Sequence, residues 1–167
     1  MGRDEAHIRV RPQGPNGVSI VFVTGDIQPG DNEKFANVTR TLHGVTKIVL
    51  DSPGGDLFAG ISIGRQIKQN GWDTQVMPNT TCASVCGLMW LAGKWRFADA
   101  DSRIGFHAAY FAETRQTTPG GNAVVGAYLR ELGFQDRTIY FLTQKPPNGD
   151  LEWLTVQKAR EYDIRID

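Results

Sequence analysis

Lys47-Ile48-Val49-Leu50-Asp51-Ser52-Pro53-Gly54-Gly55-Asp56 changes character twice in one short run. Its first five residues are β-branched or apolar enough to read as a buried strand. Ser52-Pro53-Gly54-Gly55 ends that strand, because proline donates no backbone hydrogen bond and glycine accepts turn conformations that other residues resist. From Asp56 onward Leu57, Gly60, Ile61, Gly64 and Ile67 recur at helical spacing, their glycines thinning one face, and Gly71 is the expected stop. A strand, a glycine turn and a helix in this order form half of a β-α unit. The turn's N–H groups then lie beside a helix N-terminus, where negative charge is best stabilised.

The rest of the chain repeats the alternation. Val18-Ser19-Ile20-Val21-Phe22-Val23 reads as a strand ending at Thr24-Gly25-Asp26. A helix is expected from Asp31, a good N-cap, to Leu42, with Phe35, Val38 and Leu42 on its apolar face. Asp73 to Met77 is strand-like and leads through Pro78-Asn79-Thr80-Thr81 to Cys82-Ala83-Ser84-Val85-Cys86-Gly87, where Val85 to Leu91 is apolar enough for a buried helix. Arg96 to Ala98 and Arg103 to Phe106 read as short strands around Asp99-Ala100-Asp101-Ser102. Ala109 to Gly121 reads as a polar loop, and Asn122 to Leu132 and Gln135 to Gln144 as helices. After the break Lys145-Pro146-Pro147-Asn148-Gly149-Asp150, a last short helix is expected to open at Trp153-Leu154-Thr155. The pattern predicts an α/β fold with a mostly parallel sheet.

Bulk properties bound the function. With 167 residues, 40% of them hydrophobic, the chain closes one core. We expect a single domain over 18–167, preceded by an N-terminal arm and first short strand over 1–17. The 18 basic and 18 acidic residues cancel, which gives no electrostatic reason for nucleic acid or an anionic membrane as partner. The longest strongly apolar stretch, Cys86 to Gly93, is far short of the roughly 20 residues a bilayer span needs, and no signal-like segment opens the sequence. A soluble product is expected, either cytoplasmic or exported with its leader absent from this sequence. Trp72, Trp90, Trp95 and Trp153 read as core or interface residues, since no ladder of interleaved basic residues accompanies them. Asp99 and Asp101 sit in turn composition and read as a solvated loop.

Three residue types carry candidate chemistry. Ser84 is either the N-cap of the helix that follows or a nucleophile held on a sharp turn against a packed core. His107, 23 residues later and directly after a short strand, is either a satisfied core histidine or its base. His7, in the arm, and His43, at a helix end, compete poorly for that role. Cys82 and Cys86 flank the serine. If both lay in regular helix their β-carbons would be about 6 Å apart, which favours buried free thiols over a disulfide; a start of the helix after Cys82 would relax that objection. Metal binding is the weakest reading of the pair, because no further Cys or suitably spaced His completes a site, and no cofactor is implied.

In order and spacing, Ser52-Pro53-Gly54-Gly55, Cys82-Ala83-Ser84-Val85-Cys86-Gly87 and Gly105-Phe106-His107 resemble the motifs of ClpP-type serine peptidases of the ClpP/crotonase superfamily, and the likeness runs from about Val18 to Tyr162. The resemblance implies a spiral of β-β-α units, Ser84 as nucleophile, His107 as base, and the Gly55 and Val85 N–H groups as the oxyanion hole. It implies a carboxylate shortly before the last helix. Asp150 is the nearest one, with Asn148 the nearest amide, and Asp150 reads equally well as the N-cap of that helix. Val85 stands where ClpP proteins often carry methionine, and Ala108 where they carry glutamine, which bears on substrate-strand contacts. A similar Cys-Ala-Ser-x-Cys turn in exported ClpP-like proteins keeps an oxidising compartment open. The implied partners are a peptide or unfolded protein substrate and further copies of the chain. The segment from His107 to Asp150 is shorter than the usual ClpP handle, so neither a closed two-ring chamber nor an ATPase partner is implied. Three alternatives accompany the peptidase: a non-catalytic oligomeric scaffold, an acyl-CoA enzyme of crotonase type, and a Ser-Lys peptidase of SppA type with Lys94 or Lys145 as base.

Overall fold

In the computed structural model, residues 6–11, 14 and 16–167 are described. The remainder of the expected arm, residues 1–5, 12, 13 and 15, lies outside them. His7–Arg11 forms β1, which pairs antiparallel with β2 (Ser19–Thr24). β3 (Thr46–Asp51), β4 (Asp73–Val76) and β6 (Arg96–Ala98) then add in parallel, giving one sheet in the order β1-β2-β3-β4-β6. The second sheet is β5 (Thr81–Ala83), β7 (Arg103–Phe106) and β8 (Glu152–Trp153), in that order. Isolated parallel bridges, Ile27 to Gly55 and Ser52 to Cys82, extend the pairing beyond β5.

Each turn of the chain therefore leaves a strand in the first sheet, a shorter one beside the second, and then a helix. This is a spiral of β-β-α units with a mostly parallel sheet. Val21, Val23, Ile48 and Leu50 from the first sheet pack with Phe35, Ile61, Ile63 and Ile67 into a single buried cluster. β2 alternates buried and half-buried positions, whereas β3, between β2 and β4, buries Ile48, Val49 and Leu50 in succession because it is covered on both faces.

α2 (Leu57–Asn70) is the helix expected from the sequence. The Asp56 carboxylate accepts from Ala59 N–H at its start, and Gly71 closes it in the left-handed conformation at φ 65°. Its two thin positions have assigned neighbours. A β-carbon on Gly60 would stand 2.2 Å from a Val85 methyl, and one on Gly64 2.1 Å from the Tyr128 hydroxyl. Their absence lets α3 (Val85–Trp90) and α4 (Pro119–Glu131) press against α2.

Several boundaries differ from expectation. α1 spans Asp31–Thr39 and is capped by Gly30 in the left-handed region; Asp31 is its first residue, with its buried carboxylate accepting Gln28 N–H at 2.6 Å. α4 begins earlier than expected because Thr118 caps it and Pro119 occupies its first turn, where a missing N–H costs nothing. α5 is Asp136–Thr143. Trp153 belongs to β8 rather than to the last helix, α6 (Val156–Glu161), whose N-cap is Thr155; the capping role considered for Asp150 is therefore filled by Thr155. The polar segment after Ala109 is a hairpin closed by Tyr110 and Thr117. No helix among the described residues is long and apolar enough to cross a membrane.

Candidate active site

The two glycines of the Ser52 turn both have positive φ, 108° at Gly54 and 139° at Gly55, as only glycine readily allows. The turn is tied from three sides. Ser52 Oγ accepts Gly54 N–H at 3.1 Å, Ile27 N–H donates to Gly54 O at 2.8 Å, and Asp56 N–H donates to Ile27 O at 2.8 Å. Ser52 itself bonds to β5 through Thr81 O and Ala83 N–H. This lashes the glycine turn to the strand that delivers Ser84. A β-carbon on Gly54 would lie 2.7 Å from Ser84 Cβ and 3.2 Å from Ser84 Oγ, so the two segments touch. Gly55 faces solvent.

Ser84 has φ 59° and ψ −129°, a conformation that a residue other than glycine rarely adopts. It stands at the N-cap position of α3, yet its hydroxyl makes no capping hydrogen bond. The capping explanation for this serine is thereby removed. Residues 82–92 are buried at every position except Ser84. Its N–H donates to Gly105 O at 2.9 Å, which sets the turn beside β7 two residues before His107. Val85 opens α3, and the first N–H groups of a helix have no partner within it.

Cys82 and Cys86 form a disulfide with a Cα separation of 5.1 Å, so the free-thiol reading does not hold. The reason is local: Cys82 ends in a strand and Cys86 begins in a helix, so helical spacing never applied. The bridge closes a very short loop with Ser84 at its centre. Replacing both cysteines with alanine is expected to lower stability by about 2 kcal/mol, the unfolded-state entropy of so small a loop, as read from denaturant midpoints. No change in midpoint would show that the bridge does not restrain the unfolded chain.

His107 is half-buried beyond the end of β7. Its Nδ1 lies 2.6 Å from the carbonyl oxygen of Ala108, and a carbonyl only accepts, so Nδ1 carries the proton and Nε2 is left with its lone pair. Burial pushes its pKa below the ordinary histidine value. The Ala108 carbonyl opposes this and the Arg115 guanidinium adds to it. The Tyr110 ring lies 5.1 Å from the imidazole, centroid to centroid, and the Arg115 guanidinium stands 5.9 Å from the Tyr110 ring. No hydrogen bond joins Ser84 Oγ to the His107 ring among the described residues.

Asp150 and Asn148 are both exposed, and neither hydrogen-bonds to His107 among the described residues. The expected Asp150 contact is replaced at Nδ1 by the Ala108 carbonyl. The buried acid of this region is Glu152, paired with Lys158 at 3.2 Å and Lys145 at 3.7 Å. That pairing turns Lys145 toward Glu152, while exposed Lys94 follows the end of α3. His7 is on β1, the edge strand of the first sheet, and His43 follows α1. No group of three or more metal-ligating side chains gathers among the described residues.

Compared by sequence, the chain matches no protein-family model and no curated protein. Compared by structure, it superposes on the ClpP protease catalytic domain from Plasmodium falciparum with a TM-score of 0.64 at 19% identity, covering 90% of this chain and 82% of that one. The chain has a ClpP-like fold. The 1510-N membrane-bound stomatin-specific protease shares that ClpP-like architecture with a TM-score of 0.64 at 18% identity, over 88% of this chain and 75% of that one. A mutant of that protease in complex with a substrate peptide gives 0.63 at 18% identity over 88% and 71%.

Proposed function

We propose that this protein is a serine peptidase. Ser84 Oγ attacks a peptide carbonyl, His107 Nε2 takes the proton and returns it to the leaving amine, and the Gly55 and Val85 N–H groups hold the oxyanion. The observation that carries this reading is the strained, partly exposed Ser84, whose hydroxyl caps nothing and which rests against a glycine turn. The Ala108 carbonyl takes the orienting place at Nδ1, with Asp150 as the runner-up for a third member. The scaffold alternative draws its support from the lack of a carboxylate on the imidazole among the described residues. The crotonase-type alternative, which needs no serine nucleophile, leaves the Ser84 conformation without a purpose.

A fluorophosphonate reagent tests the assignment. It is expected to label Ser84, located by peptide mass spectrometry, and to lose labelling in His107→Ala. Absence of label on Ser84 would leave the scaffold. In Asp150→Asn, labelling at an undiminished rate supports the backbone carbonyl as orienter. A loss approaching 10^4-fold, the size found when a serine-protease triad carboxylate is neutralised, would install Asp150 instead.

The pH dependence follows from the environment of His107. Its depressed pKa keeps the base neutral further into acid, so the acid limb of kcat/KM is expected to have its midpoint below about 6.5, the ordinary histidine value. A midpoint above that value would contradict the assignment of His107 as base. Self-association is also proposed. Phe58, Tyr140, Val45, Val156 and Phe111 are each more than half exposed, and association with further copies of the chain would cover some of that apolar surface. Sedimentation at micromolar concentrations should show species larger than the monomer, and a monomer throughout would remove this claim.

A further inference from the structure

His107 is held by the chain immediately after it. The peptide unit between Ala108 and Ala109 presents its oxygen to His107 Nδ1 at 2.6 Å and its N–H to Asn122 Oδ1 at 2.9 Å. Both hydrogen-bonding groups of one rigid plane are thus engaged. Asn122 lies in the first turn of α4, where its own N–H donates to Thr118 O at 3.0 Å. The backbone on either side is fixed as well: Ala108 N–H donates to Lys145 O at 2.7 Å, and Thr118 N–H donates to Ala109 O at 2.9 Å.

We propose that Asn122 is a positioning residue for the base. Through the Ala108–Ala109 peptide it supplies what a carboxylate supplies in a triad, namely a fixed acceptor on the far nitrogen of the imidazole. The chemistry is that of a hydrogen-bonded chain. An amide oxygen accepting from the peptide N–H polarises that peptide and strengthens its carbonyl as an acceptor. The same bond stops the plane rotating, so His107 keeps the tautomer with Nε2 free to accept the Ser84 proton. Tyr110, tilted 47° to the imidazole, lies against it from the hairpin.

A neutral carbonyl fixes the tautomer without adding negative charge. The cations and acids on the surrounding elements do not supply it either: Arg115 lies over Tyr110, Arg103 over Trp153, Lys145 and Lys158 neutralise Glu152, and Glu113 and Asp150 are exposed.

This inference rests on the peptidase reading for its purpose but not for its test. The imidazole nitrogen shifts of His107, followed by 15N NMR, report the tautomer directly and need no turnover. In the wild type the Nδ1–H form should dominate at a pH where the ring is neutral. Asn122→Ala, favourable for a helix, should shift the ring toward a mixture of tautomers and lower kcat at least tenfold with KM within about twofold. Asn122→Asp, which keeps an acceptor oxygen, should restore both the tautomer and most of the rate. An unchanged His107 spectrum in a folded Asn122→Ala protein would overturn the proposal. If the tautomer responds as expected while no variant hydrolyses or is labelled, the positioning role stands and the peptidase reading falls.

Discussion

Ser84→Ala is expected to abolish peptide hydrolysis, with a loss on the order of a thousandfold or more, while the protein keeps its fold. Both halves of this expectation come from the same geometry. On the turn from Cys82 to Gly87 Ser84 carries the one hydroxyl, it rests against Gly54, and both cysteines are bridged, so nothing replaces it when it is removed. The backbone at Ser84 gains nothing from the side chain, because the hydroxyl makes no cap bond. Alanine inherits the same strain at φ 59°, so the change in stability should stay within about 1 kcal/mol. Hydrolysis of a peptide ester and thermal unfolding, measured on one preparation, check both statements. Undiminished turnover would remove Ser84 from the mechanism. Lost turnover accompanied by a collapsed transition would mean that the hydroxyl was structural.

Gly55→Ala is expected to cost both activity and stability. The residue sits at φ 139°, where a β-carbon is strained whatever its surroundings, and that carbon would stand 2.1 Å from Ile27 O and 2.7 Å from Ile27 N. Those are backbone atoms in the bridge that ties the turn to the end of β2, so no side-chain rotation relieves the contact. Strain and overpacking together suggest a loss of roughly 2–5 kcal/mol. If Gly55 N–H is an oxyanion donor as proposed, its displacement would bring a further loss on the order of 10^2-fold in kcat. Gly120→Ala is the matching control: its nearest neighbour would be 4.0 Å away and its backbone needs no positive φ. If the two variants unfold at the same temperature, the close packing of the turn against Ile27 does not limit stability.

The central motifs were legible in the sequence because each depends on local chemistry. A β-branched run ending in Pro-Gly-Gly before Asp56 permits little other than strand, turn and capped helix, and Gly71 ends that helix in the left-handed conformation expected of it. Ser84 was legible as a candidate but not as a decision. An N-cap serine and a nucleophile share one sequence signature, and they differ only in whether the hydroxyl turns back to its own helix. Tertiary packing holds φ at 59° between β5 and α3 and leaves the hydroxyl without a cap bond, which removes the first reading and leaves the second as the proposal.

The disulfide shows the same division. Its spacing argued against pairing only on the assumption that both cysteines share a helix, and the strand-to-helix boundary falls between them. Asp150 was chosen by nearness along the chain. The acceptor actually found on His107 is a main-chain carbonyl, a group every residue carries and no sequence marks. Asn122, Tyr110 and Arg115 were unmarked for a related reason. They gather around the imidazole through a hairpin and the first turn of α4: Tyr110 and Arg115 lie in a segment that reads only as a polar loop, and Asn122 reads as an ordinary helix-start residue. What the sequence by itself determined was the order of strands, turns and helices and the short list of candidate side chains, since these follow from local propensity and residue chemistry. What only the tertiary structure decided was which polar groups meet. Hydrogen-bond partners distant in the chain are selected by the packing of whole elements, and any residue with a carbonyl or an amide can serve.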